Sequence, residues 1–422
     1  MRKVELTSPA GNAEKGRFAL DYGADSVYIG FPGFSLRSGA ESFGVQELEN
    51  LTGYAHSLGK KVYLALNIFA HNRHLSLFEK ALEEVKRLGP DGIILADPGL
   101  ILMAREKLPD LHITVSTQAN TSNYQMVKVW EKLGVQRVVL ARELSVDEIA
   151  EIRDKTSLEL EVFVHGAVCM AYSGRCLLSG FMTSPELGMT RGKFGTDTAR
   201  HANLGSCTQP CRWNYLLVEE NRRDMGFPIE EDKWGTYILS AKDICLVDHL
   251  SRLMDAGVDV FKIEGRMKSI YYVANVTRVY RRALELAREG KTLTEKEKGE
   301  LFTVSHRGYT TGFTFPEYNE GDVSYQGYIV SYKLYAVVED ESEAPYYRLK
   351  VYNAFSADRE LEVIRSDMQD FVLSADSYSL YDLKKEPVTV IRHQYDGYIK
   401  TTIPLKKSDI IRIKVDGGEK NC

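Results

Sequence analysis

Short apolar, β-branched segments alternate with amphipathic segments of helical length from the N-terminus to about residue 288. Repeated strand–helix units of this kind are typical of a parallel sheet with helices on its outside. The candidate strands are Val4–Leu6, Ser26–Gly30, Lys61–Leu66, Gly92–Ala96, His112–Ser116, Arg137–Ala141, Glu161–His165, Tyr237–Leu239 and Val260–Ile263. The candidate helices are Val45–Leu58, Ser76–Leu88, Tyr124–Leu133, Val146–Asp154 and Leu246–Ala256, and glycines suited to helix C-caps follow at Gly59, Gly89, Gly134 and Gly257.

Nine candidate strands are one more than a (β/α)8 barrel needs, and a doubly wound open sheet would show the same alternation. Small or polar residues follow almost every candidate strand. They are Ser8-Pro9-Ala10-Gly11-Asn12, Asn67, Asp97-Pro98-Gly99, Ser116 to Asn120, Arg142-Glu143, His165-Gly166 and Lys262 to Arg266. The strand ends of a barrel all converge on one mouth, whereas in an open sheet only those near the switch point meet a ligand. The sequence therefore favours a TIM-like barrel over residues 1–300, although helix caps and turns also place Ser, Asp and Asn after strands.

The regular alternation stops between residues 167 and 236, in a segment rich in Gly, Ser, Thr and Arg. It is far longer than the 2 to 6 residues typical of a barrel loop. We predict a Cys-rich insertion that carries function or is held in order by something other than a hydrophobic core.

From residue 305 to residue 422, alternating strand patterns and turn signals predict a small C-terminal all-β domain, a barrel or a sandwich. Strand patterns cover Tyr346–Asn353, Val388–His393 and Ile410–Val415. This segment holds 13 of the 24 tyrosines, and its 15 basic and 19 acidic residues indicate no broad basic surface for RNA.

Cysteines are clustered: of six, five lie between Cys169 and Cys245, and the last is Cys422. The spacing is Cys169-x6-Cys176, then Cys207-x3-Cys211. A structural zinc site prefers spacers of two to four residues within each pair, which x3 satisfies and x6 does not. An iron–sulfur cluster held by four cysteines tolerates varied spacing, so the pattern favours a cluster, with zinc and four incidental cysteines as alternatives.

The remaining composition is that of an ordinary globular protein, with 44% hydrophobic residues and a formal net charge of −5. The first residues run straight into a candidate strand without a signal-peptide pattern, and no apolar run reaches membrane-spanning length. We therefore expect a cytoplasmic protein with no membrane partner, in which clustered cysteines indicate metal or redox chemistry before disulfides.

The segment from Arg175 to Arg212 contains five basic residues and two acidic ones. These cations could offset the negative charge of a thiolate cluster or receive an anionic substrate.

The segment EVFVHGAVCMAYSGRCLLS, from Glu161 to Ser179, resembles the signature of the collagenase-like peptidase family, the thirty-second of the unassigned peptidase families. The matching positions are Glu161, Phe163, Gly166, Ala167, Cys169, Gly174, Cys176 and Ser179. Further stretches similar to the family are SPAGN, ADPG, STQANTSN and KIEGRMKS. The segments CTQPCRWNY and SAKDIC, together with the C-terminal domain, are closest to a branch implicated in tRNA hydroxylation.

The resemblance implies hydroxylation of a tRNA wobble uridine to 5-hydroxyuridine, a precursor of 5-methoxyuridine or 5-carboxymethoxyuridine, with prephenate as a required co-substrate. Relatives carry a 4Fe-4S cluster on four cysteines, and the matching positions here are Cys169, Cys176, Cys207 and Cys211. Cys245 is an alternative fourth ligand. Some family members work as pairs, so a paralogous family member is an expected partner besides tRNA.

Within that function, residues just beyond the strands are the candidates for the site. Asn67, Arg142, Lys262 and Arg266 are candidate substrate-binding residues, and the cationic side chains of the last three could pair with the carboxylates of a dianion. Gln118, Asn120, His165 and Glu264 are candidate catalytic residues that could read a base edge or position a proton. For each of these residues, a structural role as a loop cap or in an internal ion pair is an equal alternative.

Two other functions stay open. The family name suggests a peptidase, but the sequence has no HExxH or GxSxG motif, and a Cys169 nucleophile beside His165 would leave the other clustered cysteines unexplained. The protein could also be a non-catalytic, cluster-bearing subunit that delivers tRNA or electrons to another chain.

Overall fold

The computed structural model describes residues 4–35, 44–168, 179, 208, 230–232, 235–237, 242–315, 329–393 and 395–415. The strands of the first part are β1 (Glu5–Ala10), β2 (Ser26–Gly30), β3 (Lys61–Ala65), β4 (Gly92–Leu95), β5 (His112–Val115), β6 (Arg137–Val139), β7 (Glu159–Ala167), β8 (Glu230–Asp232), β9 (Gly235–Tyr237), β10 (Asp243–Cys245), β11 (Val260–Ile263) and β12 (Tyr309–Thr310). The helices are α1 (Ala13–Asp21), α2 (Val45–Ser57), α3 (Asn72–Leu88), α4 (Pro98–Lys107), α5 (Tyr124–Lys132), α6 (Val146–Arg153), α7 (Leu250–Asp255), α8 (Ile270–Arg288) and α9 (Glu295–Gly299). Short 3-10 turns cover Thr117–Ala119, Val247–His249 and Glu300–Phe302.

Eight parallel strands form a closed barrel. Strands β1 to β7 pair in chain order. Strand β11 pairs in parallel with both β7 and β1, which closes the ring. The predicted TIM-like barrel is therefore confirmed. The ninth candidate strand, Tyr237–Leu239, is not a barrel strand: β9 ends at Tyr237 and pairs with β8, and residues 238–240 lie outside the described ranges. Direct pairing of β7 with β11 leaves no position for it in the ring.

Strand β7 is longer than the other barrel strands because its end pairs with a third strand outside the barrel. Its first part pairs with β6 and β11, while its end pairs antiparallel with β10, where Ala167 is opposite Asp243 and His165 is opposite Cys245. Strand β12 then adds to β10 in parallel. The sheet thus extends beyond the barrel directly before Cys169.

The helices follow from local sequence. In α3, the apolar side chains Phe78, Leu82 and Val85 recur at helical spacing and are buried. Gly89 ends this helix with a left-handed φ of 58°, and Gly59, Gly134 and Gly257 also have positive φ, as their predicted C-cap roles require.

Side chains alternate along each barrel strand between two different cores. Val27 and Ile29 of β2 belong to the large core between barrel and helices, whereas Tyr28 belongs to a separate cluster with Tyr63, Ala65 and Ile94. Because successive strand residues point to opposite faces, this second cluster lies inside the barrel.

The C-terminal part forms an antiparallel all-β domain, as predicted. Its strands are β13 (Tyr332–Asp340), β14 (Tyr346–Val351), β15 (Phe355–Ser356), β16 (Leu361–Ile364), β17 (Phe371–Leu373), β18 (Tyr378–Tyr381), β19 (Pro387–Val388), β20 (Val390–Ile391), β21 (Gly397–Thr401) and β22 (Ile410–Lys414). Eight of them form one sheet in the order β17-β16-β22-β13-β14-β21-β18-β19, over a core of its own.

Buried ion pairs join the two parts. The Arg278 guanidinium of α8 contacts Asp370 at 2.6 Å and Glu300 at 2.9 Å. Arg412 of β22 contacts the same Glu300 at 2.6 Å. Tyr22, which follows α1, is also buried and donates its hydroxyl to the Ser408 carbonyl of the C-terminal part at 2.8 Å. In the described ranges, the helices are too short or too polar to span a membrane.

Candidate active site at the mouth of the barrel

A pocket opens where the barrel strands end. Its walls come from seven of the eight barrel strands or from the residues directly after them. The lining residues are Tyr28, Ala65, Asn67, Ile94, Ser116, Thr117, Gln118, Val139, Arg142, Phe163, Lys262, Glu264 and Arg266. This convergence is the one expected of a barrel mouth.

Six of the eight predicted site residues outside the cysteine cluster line this pocket. Asn67, Arg142, Lys262 and Arg266 are the four predicted substrate-binding residues, and Gln118 and Glu264 are two of the four predicted catalytic ones. Asn120 and His165 do not line it. Their assigned chemical roles, like those of the six, stay predictions.

Arg142 presents an accessible cation at the rim. Its guanidinium carbon lies 3.9 Å from the centroid of the Phe163 ring. Cation–π attraction therefore holds the guanidinium group against this ring. The side chain is half-buried and makes no ion pair with any residue in the described part of the chain. Its N–H donors are therefore available for a ligand carboxylate or phosphate.

Lys262 supplies a second, buried cation. Its ammonium lies 2.6 Å from Glu161 Oε1 and 4.1 Å from the centre of the Tyr28 ring. Burial lowers the pKa of Lys262, and the Glu161 carboxylate opposes that shift. The Glu161 carboxylate and the face of the Tyr28 ring therefore both stabilise the charged form of the buried Lys262 side chain.

Arg266 and Glu264 follow β11 and complete the charged wall. Arg266 Nη1 donates to Ser35 Oγ at 2.6 Å. The Tyr28 hydroxyl donates to the Ile263 carbonyl at 2.9 Å and lies 3.3 Å from Glu264 Oε2. Three cations thus share the pocket with one carboxylate, which favours an anionic ligand.

A glycine lets the chain after β11 approach β7 closely. Gly166 has φ of 104°, and a Cβ placed on it would lie 2.4 Å from the Glu264 carbonyl oxygen. Only glycine allows this approach, which places Glu264 and Arg266 over the mouth.

The polar side of the pocket is formed by residues after β3 and β5. Asn67 Nδ2 donates to Ser116 Oγ at 3.4 Å, and Ser116 also caps the short turn that carries Gln118. The Gln118 Oε1 atom is buried and has no hydrogen-bond partner among the residues that the structure describes. A buried acceptor without a partner is costly unless a ligand donates to it, so Gln118 is suited to reading a ligand N–H or O–H.

His165 lies behind the pocket, among aromatic side chains. Its ring contacts Tyr272, Tyr280 and Tyr309, and its Nδ1 is 3.3 Å from the Tyr280 hydroxyl. Burial lowers the pKa of His165 to about 3, so the imidazole is neutral at physiological pH. Asn120 ends the Thr117–Ala119 turn with a left-handed φ of 54°, a backbone role consistent with the structural alternative.

Some of the polar residues after strands are helix caps. Asn12 accepts a hydrogen bond from the Lys15 N–H at the start of α1, and Asp97 accepts from the Gly99 N–H at the start of α4. Asn12 and Asp97 are therefore helix caps, which is the structural alternative to a role in the site.

The four predicted cluster ligands Cys169, Cys176, Cys207 and Cys211 lie outside the described residues. Cys245 is described: it accepts a hydrogen bond from the Tyr280 hydroxyl at 3.7 Å, and burial raises its pKa to about 11. Cys245 as an alternative fourth ligand stays a prediction, because its four possible cysteine partners lie outside the described residues. Among the described residues, no group of three or more His, Cys, Asp or Glu side chains is arranged to hold a metal ion.

Tyr28, Phe163 and Glu161 were not predicted as site residues. They occupy the inward face of their strands, and Glu161, Phe163 and His165 alternate in the sequence. Because Glu161 shares its strand face with Phe163 and His165 at a period of two, this alternation is the signal that could have identified Glu161 as an interior residue.

Fold and site define a (β/α)8-barrel protein that has a cation-lined pocket at its mouth and an appended all-β domain. A model of peptidase family U32 matches residues 11–323, and a model of the peptidase family U32 C-terminal domain matches residues 330–412. The chain belongs to peptidase family U32, as the sequence resemblance indicated.

Individual relatives carry RNA-related names. The chain is 39% identical over 407 residues to tRNA hydroxylation protein P of Escherichia coli strain K12, with 86% of each chain covered. It is 34% identical over 418 residues to tRNA hydroxylation protein P1 of Bacillus subtilis strain 168, covering 96% of this chain and 95% of the relative. It is also 35% identical over 314 residues to the 23S rRNA 5-hydroxycytidine C2501 synthase of Escherichia coli strain K12, covering 74% of this chain and 43% of that one.

Proposed function

We propose that this protein is an RNA-modifying enzyme that hydroxylates the wobble uridine of tRNA to 5-hydroxyuridine, the first step towards 5-methoxyuridine or 5-carboxymethoxyuridine. The observation that carries the proposal is the convergence of Arg142, Lys262 and Arg266 on one pocket, in a chain related over most of its length to proteins named for tRNA hydroxylation. The relative named for rRNA supports RNA hydroxylation as the shared chemistry.

The pocket residues divide into two roles in this proposal. Arg142, Lys262 and Arg266 bind the carboxylates of prephenate, since three cations suit a dianion better than a neutral base. Gln118 and Asn67 line the same pocket and orient the uracil edge through hydrogen bonds.

Replacing the C5–H of uridine by C5–OH removes two electrons from the base and adds one oxygen atom, so the reaction needs an external oxidant and an oxygen donor besides the pocket residues. We propose that Cys169, Cys176, Cys207 and Cys211 hold a 4Fe-4S cluster, which supplies electron-transfer chemistry when bound. One contact supports grouping the two cysteine pairs: the Thr208 N–H donates to Ser179 Oγ at 3.0 Å. Position 208 follows Cys207 and position 179 is three residues after Cys176, so this contact joins the chain next to both pairs.

Within the described residues, no observation favours the peptidase alternative. Burial lowers the pKa of His165 to about 3, which makes it a poor general base for a Cys169 nucleophile. The role of a non-catalytic subunit differs from our proposal in its need for a second chain. Hydroxylation by the purified protein, tested with and without a paralogous partner, distinguishes the two.

The proposal is tested by nucleoside mass spectrometry of tRNA from a strain that lacks the gene. We expect 5-hydroxyuridine and its derivatives to disappear, and to return with the wild-type gene but not with Cys176→Ala. Unchanged modification in a strain without a paralogue contradicts the tRNA function.

The cluster has a separate test with a matched control. Anaerobically purified wild-type protein should be brown, with broad absorbance near about 400 nm. Cys176→Ala should abolish the colour, whereas Cys245→Ala should keep it, because Cys245 is not one of the four proposed ligands and its sulfur accepts a hydrogen bond from the Tyr280 hydroxyl. A colourless wild-type protein with one bound zinc ion contradicts the cluster.

A further inference from the structure

A chain of buried charges runs through the barrel interior from its floor to the pocket. At the floor, Arg137 Nη1 and Nη2 donate to the two carboxylate oxygens of Glu5 at 3.1 and 3.0 Å. Arg137 Nη1 also lies 3.5 Å from Glu161 Oε2, and Glu161 Oε1 accepts from Lys262 Nζ at 2.6 Å. Barrel interiors are usually filled by Val, Ile and Leu, so this polar filling requires a reason.

Glu161 is the link between the two cations of this chain. Its side chain is 2% exposed and uses one oxygen for Arg137 and the other for Lys262. The contact with Arg137 opposes rotation of the carboxylate away from the lysine. Arg137 is fixed in turn by Glu5 and by the Tyr63 ring, which its guanidinium carbon approaches to 4.9 Å from the centroid.

We propose that Glu161 is a positioning residue of the mouth pocket, whose carboxylate keeps the Lys262 ammonium charged and directed towards an anionic ligand. The inference rests on the proposed function only for the identity of that ligand. It assigns a role to Glu161, Arg137 and Glu5, which lie beneath the pocket and do not line it.

The charges that face Lys262 set the expected direction. Glu161 of β7 and Glu264 after β11 stabilise the ammonium, whereas Arg137 of β6 opposes it, and Tyr28 and Phe163 contribute only aromatic faces. Burial and Arg137 both lower the pKa of Lys262, and removal of the Glu161 carboxylate takes away the nearest charge that opposes them. Lys262 should then lose its proton at a lower pH than in the wild-type protein.

The direct test is an NMR titration of full-length protein labelled with ¹³C at the lysine Cε, with the Lys262 signal assigned through its loss in Lys262→Met. In Glu161→Gln we expect the pKa of Lys262 to fall by at least about one unit. Glu159→Gln is the matched control: Glu159 also accepts from Arg137, at 2.7 Å, and lies two residues earlier on the same strand, but it does not contact Lys262. Its lysine titration should match that of the wild type.

An unchanged Lys262 pKa in folded Glu161→Gln overturns the inference, as does an equal fall in Glu159→Gln. If Glu161→Gln does not fold, Glu161→Asp decides, because its shorter side chain keeps the negative charge but moves the carboxylate away from Lys262. A smaller fall in the Lys262 pKa is then expected, and no fall in the folded variant overturns the inference.

The consequence for binding is measured with prephenate. In Glu161→Gln, prephenate affinity should decline at lower pH than in the wild type, with about tenfold weaker binding where Lys262 is neutral only in the variant. Wild-type protein that fails to bind prephenate contradicts the proposed co-substrate, whereas the lysine titration still decides the role of Glu161. The two failures are therefore distinguishable.

Discussion

Two arginines of this protein show how differently one residue type is used. Arg142 is half-buried against Phe163 and has no ion pair within the described ranges, whereas Arg278 is buried and pairs with both Asp370 and Glu300. A guanidinium whose charge is already matched holds the structure together. One that remains unmatched at a pocket rim is suited to a ligand.

Arg142→Ala should therefore weaken prephenate binding and leave folding intact. Loss of charge-assisted hydrogen bonds costs about 1.5 to 3 kcal/mol, or roughly ten- to hundredfold in affinity. Isothermal titration calorimetry measures the affinity, and Arg282→Ala, at an exposed position paired with Glu297, is the control. Equal affinities of the two variants would contradict the assigned role of Arg142.

His165 makes the fold sensitive to acid. It is neutral in the folded protein, with a pKa of about 3, and its ordinary value is 6.5. Below pH 6.5 the unfolded chain binds a proton that the folded protein excludes, so the stability contributed by neutral His165 is present above that pH and is lost as the pH falls towards 3.

We expect the dependence of the unfolding free energy on pH between about 6 and 4 to be weaker in His165→Phe than in the wild type. The difference can reach about 1.4 kcal/mol per pH unit. Denaturant titrations at several pH values measure it, and comparison within each protein separates this slope from the packing cost of the substitution. Parallel pH profiles would show that His165 is not responsible.

At the level of elements, β7 links the barrel to the segment that follows it. One strand supplies Phe163 to the pocket, Glu161 to the interior charges and His165 to the aromatic cluster, and its end pairs with β10 just before Cys169. A displacement of this strand end would therefore affect the pocket and the start of the cysteine segment together.

Gly166→Ala should be more disruptive than Gly59→Ala. Both positions have positive φ, but a Cβ at Gly59 meets no atom within 4 Å, whereas one at Gly166 meets the Glu264 carbonyl oxygen. Gly59→Ala is the control and should lower stability only by the cost of a left-handed alanine, about 1 kcal/mol. Gly166→Ala should in addition displace the backbone around Glu264. Thermal melts and prephenate affinity measure the two effects, and equal behaviour of the variants would refute the close-approach role of Gly166.

At the level of the whole molecule, the barrel and the all-β domain share buried charges. Glu300 accepts from both Arg278 of α8 and Arg412 of β22, and Asp370 completes the pairing. Such an interface ties the stability of each part to the other, because separating the parts would leave these groups without partners.

Arg278→Met should lower the free energy of unfolding by about 3 to 5 kcal/mol, since it leaves buried carboxylates without a cation. Arg282→Met, on the same helix but exposed, should change it by less than about 1 kcal/mol. Urea unfolding followed by tryptophan fluorescence, which reports only on residues before the all-β domain, measures both. Similar effects of the two substitutions would contradict the coupling.

Much of the fold could be predicted because its signals are local. The predicted helix Val45–Leu58 is observed as Val45–Ser57, and the strand Ser26–Gly30 is observed unchanged. The ninth candidate strand, Tyr237–Leu239, shows the limit: Tyr237 ends a hairpin strand outside the barrel, and only the partners of a short apolar run decide between these two positions.

The candidate site divides in the same way. Residues directly after strands, such as Arg142 and Arg266, could be placed at the mouth once a barrel was assumed. Side chains within strands, such as Tyr28 and Phe163, could not, because their face depends on how the strand is set in the sheet.

The sequence by itself determined the kinds of elements, the barrel-plus-β organisation and the family, since periodicity and motif spacing are properties of neighbouring residues. The tertiary structure alone decided that β7 pairs with β11, that His165 faces tyrosines, and that Glu161 joins Arg137 to Lys262 across 24 and 101 residues of chain. Such pairings depend on burial and charge matching between distant segments, which no local pattern contains.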